Sequence, residues 1–488
     1  MTKTLARAAL RLAAGIAVAA LAAPAAPGAE PKDGRTIEEK VRDLEARQEK
    51  ARKALEELTR ELAAVRKEMD ETSAAGQPAA SRPTGPVEPK GLTPLDVGST
   101  GSTGQVTSGT SFNPSISVIP EGIYYNDDRS GGALGLMLEA DGFAGTPAGE
   151  GRDLKRGFNL GETEFTFSGA VDPYFDVTAI ASLSGDGISL EEAYVRTRRF
   201  PAGLALKVGK FYSALGYANR QHPHQWDFVD QSLPYAMLLG GAVNDVGVQL
   251  TCLPKTPFYL QVGVEALQGE NPGVANVLGP GVDPALSDDA GPRLFTGFAK
   301  VAPNVGLDDA LQIGVSGGYS SQHQEETATG FAQGTAWFAG TDWVFKHDAS
   351  GTGGKGSFVL SAEYLYREKE LDVAASPDEA SVGTPWRAKQ DGLTVQGVWG
   401  FVPRWTLNLR YDTVGVFTND VARGLLGSAS YDASRRISAA VTFNPTEFSR
   451  IRAQVNRGDA PVGGEHQRFV QFFLQYQLSL GVHGAHTF

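Results

Sequence analysis

The stretch that most restricts what this chain can fold into is its last, Gln467 to Phe488. Every second residue is apolar: Val470, Phe472, Leu474, Tyr476, Leu478, Leu480, Val482. Most of their neighbours, such as Gln471, Gln475, Gln477 and Ser479, are polar; Phe473 is the main exception. A period of two is a strand with one greasy and one wet face. This one is longer than an ordinary soluble strand and long enough to cross a bilayer at a tilt, which takes roughly 9–11 residues. A lone strand cannot span a membrane, because its edges expose unpaired amides. The rest of the chain must supply a closed barrel.

The same texture fills the chain from about residue 132. Sixteen alternating runs lie near 133–143, 157–171, 174–184, 188–198, 204–212, 245–253, 258–268, 293–302, 310–320, 334–346, 356–367, 390–402, 405–414, 431–443, 448–457 and 467–480. Eighteen strands are the alternative count, reached with further strands such as 112–125. Tight connections (Asp172-Pro173, Pro201–Gly203, Pro254–Pro257, Pro403-Arg404, Asn444–Glu447) alternate with a second set that holds long ones (213–244, 269–292, 368–389, 415–430). Short turns on one side and long loops on the other are the pattern of an outer-membrane barrel, with the turns periplasmic. Aromatics crowd the tight turns, among them Tyr174, Phe258, Phe401, Trp405, Phe443 and Phe448, as an interfacial girdle requires. The expected fold is thus all-β, an antiparallel transmembrane β-barrel of about sixteen strands over 132–488, in which the last strand pairs with 133–143.

Three segments precede it. Residues 1–28 have a basic start (Lys3, Arg7, Arg11), an Ala-rich apolar run and small cleavage residues, the composition of a secretory signal. Over 36–70, Ile37, Val41, Leu44, Gln48, Ala51, Leu55, Leu58, Leu62, Val65 and Met69 alternate spacings of four and three, which predicts an α-helical coiled coil roughly 50 Å long. Thr36 and Glu39 form a capping box at its start. Residues 72–111, rich in Gly, Ser, Thr and Pro, read as a flexible linker. No apolar run outside the N-terminus reaches the roughly 18 residues of a transmembrane helix. The net charge of −12 argues against nucleic acid as a partner. The single cysteine, Cys252, excludes an intramolecular disulfide and a cysteine metal cluster.

Strand phase assigns faces. Arg450 and Arg452 oppose Ile451; Arg410 opposes Leu409 and Tyr411; Arg436 opposes Ile437; Arg196 and Arg198 oppose Val195; Glu162 and Glu164 oppose Phe165. Charges at membrane depth are affordable only towards a lumen, so these eight residues are expected to line a water-filled pore. An arginine excess on the late strands would favour anions.

The most distinctive loop follows Phe211 and carries His222-Pro223-His224-Gln225-Trp226-Asp227-Phe228-Val229-Asp230. Its aromatics suit a loop folded against the barrel wall. His222, His224, Asp227 and Asp230 are also of the types that hold zinc, without a strict spacing signature. His483 and His486 are weaker candidates near the C-terminus. No catalytic triad, phosphate loop or dinucleotide turn is present, so neither an enzyme nor a cofactor is expected.

Signal, coiled coil, linker and sixteen-stranded barrel together resemble porins of the phosphate-selective O/P type. The phrase Val208-Gly209-Lys210-Phe211-Tyr212 is similar to the strand end that precedes their inward loop, and the terminal Phe488 resembles the closing residue of Gram-negative outer-membrane proteins. The resemblance implies a homotrimer in outer-membrane lipid that passes small hydrophilic solutes or ions, narrowed by the 213–244 loop, with the coiled coil in the periplasm setting the oligomer or reaching peptidoglycan. The His-Pro-His phrase also resembles proteins described as zinc-regulated TonB-dependent outer-membrane receptors, although 30–111 are rod and linker, with no plug domain of the needed size. A receptor for a metal or metal complex, and a structural tether between outer membrane and cell wall, are the alternatives.

Overall fold

The computed structural model describes Lys53 and residues 114–129, 132–143, 154–185, 187–198, 200–327 and 330–481. The chain divides into two units, Met1–Leu92 and Thr93–Phe488, and all described residues but Lys53 belong to the second. The expected signal, coiled coil, linker, His483, His486 and Phe488 lie outside the described residues.

The described chain is all-β, an antiparallel sheet of twenty segments. In order they are β1 (Ser115–Ile119), β2 (Glu121–Asp127), β3 (Gly157–Leu160), β4 (Thr163–Ala170), β5 (Phe175–Ser184), β6 (Gly187–Thr197), β7 (Leu204–Tyr212), β8 (Asn244–Cys252), β9 (Tyr259–Leu267), β10 (Leu294–Ala302), β11 (Asp309–Thr327), β12 (Gly330–His347), β13 (Phe358–Ala375), β14 (Pro385–Val402), β15 (Trp405–Arg423), β16 (Ser428–Ser430), β17 (Ser434–Thr446), β18 (Ser449–Val462), β19 (Glu465–Leu478) and β20 (Leu480–Gly481). Three pairs, β1 with β2, β3 with β4 and β19 with β20, are single strands interrupted at Pro120, Gly161-Glu162 and Ser479. Without the short ribbon β16, sixteen strands remain.

Each strand pairs with the next along the chain. β19 then pairs with β2, through Gln471↔Asp127 to Gln477↔Glu121, and β20 pairs with β1 through Val118↔Leu480. The ladder of hydrogen bonds therefore returns to its first strand. The first strand is 115–127 and not 133–143. The latter has the right alternation, but its backbone folds into consecutive turns, with Leu138 N bonded to Gly135 O and Phe143 N to Ala140 O and with Gly135 and Gly142 at positive φ. Its Ala133, Met137, Ala140 and Phe143 are instead buried in an apolar cluster.

Expected loops at 368–389 and 415–430 are mostly strand. β13, β14 and β15 pair from Asp372↔Pro385 and Trp386↔Arg423 onwards. These hairpins are 18 or 19 residues a strand, and their outer ends carry polar residues on both faces, so the alternation that marks a strand fades there. The three longest connections, 128–156, 213–243 and 268–293, open on the same side of the sheet.

The two faces differ as phase predicts. On β19, Val470, Phe472, Leu474 and Tyr476 are exposed while Gln471, Gln475 and Gln477 are buried. Ile437, Val441, Ile451 and Val455 continue the exposed apolar row, and Tyr174, Phe175, Phe200, Phe258, Trp405 and Phe448 are exposed beside the tight turns. The apolar core lies on the opposite face. It is built from 133–143, from Phe211 to Val243 and from Leu267 to Ala275, against Phe338, Leu365 and Phe469 of the strands.

Candidate functional site

The charged face of the sheet is not left to water. The connection 213–243 folds over it, and the wall residues hold it from both sides. A segment without regular structure carries orphan amides and carbonyls, and each needs a partner when buried. Its base is closed by Asn219, whose Nδ2 donates to Ser213 O (2.9 Å) and Val243 O (3.1 Å) and whose Oδ1 accepts from Val243 N (2.8 Å).

On one side carboxylates meet the segment's amides. Glu265 of β9 accepts from Ala214 N at 2.9 Å and from the Ser213 hydroxyl. Glu363 of β13 accepts from Tyr217 N (2.8 Å), Ala218 N (3.0 Å) and the Tyr235 hydroxyl (2.8 Å). Lys300 Nζ of β10 donates to Gly216 O, and Arg367 Nη1 of β13 donates to Leu238 O.

On the other side the late-strand arginines meet its carbonyls. Arg450 donates to His224 O (3.0 Å), and Arg452 to Trp226 O (2.8 Å) and Gln475 Oε1 (3.0 Å). Asn408 donates to Asp227 O at 2.7 Å and Gln396 to Asp227 Oδ2 at 3.1 Å. Asp230 is the hub: Arg410 (2.7 Å) and Gln454 (2.6 Å) donate to its Oδ1, Arg436 (2.7 Å) and Asn456 (2.8 Å) to its Oδ2. Arg410 and Arg436 share Asp412 behind it, and the Arg410 guanidinium lies 4.3 Å over the Phe228 ring. Burial alone would raise the Asp230 carboxyl; Arg436 and Arg410 outweigh it and hold the group well below the usual carboxylate range.

The eight expected pore-lining residues thus separate. Arg410, Arg436, Arg450 and Arg452 face inward as phase predicts, but they clamp a segment rather than line open water. Arg198 sits by a tight turn, exposed and 3.2 Å from Asp176; its strand ends at Thr197. Arg196 is half-buried on β6, and Glu162 half-buried at the break before β4. Glu164 is buried and holds both histidines of the segment.

The expected metal set is likewise divided. Asp227 and Asp230 are taken by the late-strand donors and do not join the histidines. The reason is direction: Pro223 starts a short turn, after which the aspartates face the other wall. His222 and His224 meet Glu164 of β4 and Glu191 and Glu192 of β6. His222 Nδ1 is 2.8 Å from Glu191 Oε2 and 3.3 Å from Glu164 Oε2; its Nε2 is 3.7 Å from Glu192 Oε1. His224 Nδ1 is 2.9 Å from Glu164 Oε2. Burial disfavours a charged His222, and the three glutamates outweigh it, raising the imidazole well above its ordinary range. Alternation puts Glu192 on the same face of β6 as Arg196, whereas its neighbour Glu191, which alternation would turn outward, is inward as well because the pairing slips between Ile180 and Ala181.

A polar cavity of about 600 Å³ lies in the 268–293 connection, among Gln268, Glu270, Asn276, Asp288 and Arg293.

No protein-family model matches the chain. Among solved structures it is similar to OmpT, an outer membrane protein of Vibrio cholerae (TM-score 0.44, 11% identity, 75% of this chain and 99% of that chain). It is also similar to the outer membrane channel DcaP of Acinetobacter baumannii (0.45, 12%, 75% and 96%) and to an anion-selective porin from Comamonas acidovorans (0.45, 7%, 75% and 99%). At that identity and superposition these likenesses say nothing about the solutes of this chain. In sequence it is 34% identical over 392 residues to an uncharacterized protein of Aquifex aeolicus (strain VF5), a match that spans 77% of this chain and 80% of that protein. The chain therefore belongs to the same family as the Aquifex aeolicus protein.

Proposed function

We propose that this chain is an outer-membrane channel of the porin type. Its sixteen strands close into a transmembrane barrel, and the 213–243 segment constricts it to a narrow passage for small hydrophilic solutes and ions. Movement is passive and involves no chemical step. The observation that carries the reading is the division of the sheet: an apolar exposed face with aromatics at the tight turns, and a charged covered face whose donors and acceptors fix one inward segment. The first is what lipid requires and the second is how a constriction is held rigid. The homotrimer implied by the sequence resemblance belongs to the same reading. Anion preference does not follow from the arginine count, because Arg410, Arg436, Arg450 and Arg452 are engaged with the segment.

The test is conductance in planar bilayers for the wild type and for a variant with 222–233 replaced by a short Gly-Ser link. The wild type is expected to conduct weakly and the variant several-fold more.

A second reading is favoured by the fullness of the interior: Asp412 and Asn456 of the wall are wholly buried. In it the barrel is only an anchor, and the N-terminal heptads are the working part of a tether to the cell wall. Silence of both proteins in the bilayer would favour that reading.

A further inference from the structure

The buried group at the β4 and β6 wall is more than a pair of satisfied histidines. One ligand atom from each of Glu164, Glu191 and His222 lies within 4.8 Å of the others, and all three side chains are more than nine-tenths buried. His224 Nδ1 reaches the same Glu164 oxygen as His222 Nδ1 does. One carboxylate oxygen thus receives two imidazoles, and one imidazole nitrogen faces two carboxylates. A single N–H serves one acceptor well, so proton-mediated pairing leaves this arrangement crowded.

The two rings also stack, with centroids 5.8 Å apart and planes 24° from parallel. One divalent cation would give the facing nitrogens and oxygens a single shared partner. The separations of 2.8, 2.9 and 3.3 Å between facing ligand atoms are close to the edge of about 3.3 Å that follows from metal–ligand bonds of roughly 2.0 Å in a tetrahedral site. The outer nitrogen of His222 faces Glu192 at 3.7 Å, where a carboxylate would orient a metal-bound imidazole.

We propose that Glu164, Glu191 and His222, with His224 as fourth donor, form a site for one divalent transition-metal ion of the zinc class. Mixed imidazole and carboxylate donors select such an ion over calcium or magnesium, which prefer oxygen alone. The ion would bridge the inward segment, through both histidines, to two strands of the wall. This proposal does not depend on conductance, and its test reads bound metal.

The full chain is purified in detergent without a histidine tag, in a His483→Ala/His486→Ala background so that the C-terminal pair contributes nothing. Zinc content is measured after equilibration against a chelator of known affinity, and cobalt is used as a spectroscopic probe. One equivalent of zinc is expected, with the intense visible absorption of tetrahedral cobalt. Glu164→Gln/Glu191→Gln keeps both side-chain shapes and a hydrogen-bonding oxygen, and should weaken zinc at least 100-fold. His347→Ala, remote in the fold, should leave it unchanged. His222→Gln provides a second route to the same loss if the double variant does not assemble. Absence of stoichiometric zinc in the parent protein, or full retention in an assembled Glu164→Gln/Glu191→Gln or His222→Gln variant, overturns the proposal.

Discussion

Asp230→Ala is the sharpest single perturbation of the inward segment. The substitution removes four acceptor contacts at once and leaves Arg410 and Arg436, both buried, with Asp412 as their shared counter-charge. Removing one partner of a buried ion pair costs roughly 3–5 kcal/mol. The Asp230 side chain keeps about a fifth of its exposure, so the lower end, about 3 kcal/mol, applies. That energy is local, because the hydrogen-bond ladder of the sheet does not pass through the segment. A population of open segment that is one part in 10⁴ would rise to about one part in 10² for such a change. Single-channel recording should then show a larger or noisier conductance, and limited proteolysis should cut within 222–233. The heat-dependent shift in gel migration that marks an assembled barrel should stay as in the wild type. The sign of the pH dependence follows from the lowered carboxyl. Its stabilisation is fully present above the ordinary carboxylate range, near 4, and is lost only as pH falls through the lower folded value. Mild acid should therefore not mimic the variant. Wild-type conductance, noise and protease resistance in Asp230→Ala would show that the hub does not hold the segment.

Two further substitutions separate the faces and the walls. Leu474→Arg puts a charge on the exposed row of β19 at a cost of about 2–4 kcal/mol near the bilayer midplane, and should abolish the heat-modifiable form; Gln475→Glu keeps an acceptor for Arg452 and should assemble normally while altering conductance. Glu363→Ala strips the acceptor from Tyr217 N, Ala218 N and the Tyr235 hydroxyl, a loss of about 3 kcal/mol at roughly 1–3 kcal/mol per orphaned group; the unfolding temperature should drop, and Glu363→Gln should recover most of it.

Much of the fold could be read from residues alone because alternation is a one-dimensional signal. Gln471, Gln475 and Gln477 turn inward and Leu474 outward by phase, and no distant contact can change that. The failures have local causes. The run 133–143 alternates as a strand does, yet Gly135 and Gly142 bend it into the core. The true first strand is split by Pro120, which lacks the amide a central strand needs. What faces a side chain is a different matter. Arg452 and Trp226 are 226 residues apart in the chain, and nothing near either of them names the other. His222 and His224 could be singled out by type and Glu192 by phase, but Glu191 depends on a register slip in β6.

The distribution of wall charge follows from the direction in which the segment lies. Its early amides, at Ala214, Tyr217 and Ala218, meet glutamates of β9 and β13. Its later carbonyls, at His224, Trp226, Asp230 and Gln231, meet arginines of β15, β17 and β18. An arginine excess on the late strands is therefore a set of donors for backbone oxygen, which a guanidinium with five N–H groups serves better than an ammonium. Arg452→Lys distinguishes this from an anion filter. Lysine keeps the charge, but one ammonium on a flexible stem reaches Trp226 O and Gln475 Oε1 together poorly. If the arginine acts as a filter, Arg452→Lys should hold the wild-type reversal potential in a salt gradient while Arg452→Gln shifts it. If it acts as a clamp, both variants should make the segment more accessible to protease, by a factor of about 10 for a loss of roughly 1.4 kcal/mol, with no large difference in reversal potential. A protease-resistant Arg452→Lys beside a shifted Arg452→Gln would refute the clamp and restore the filter.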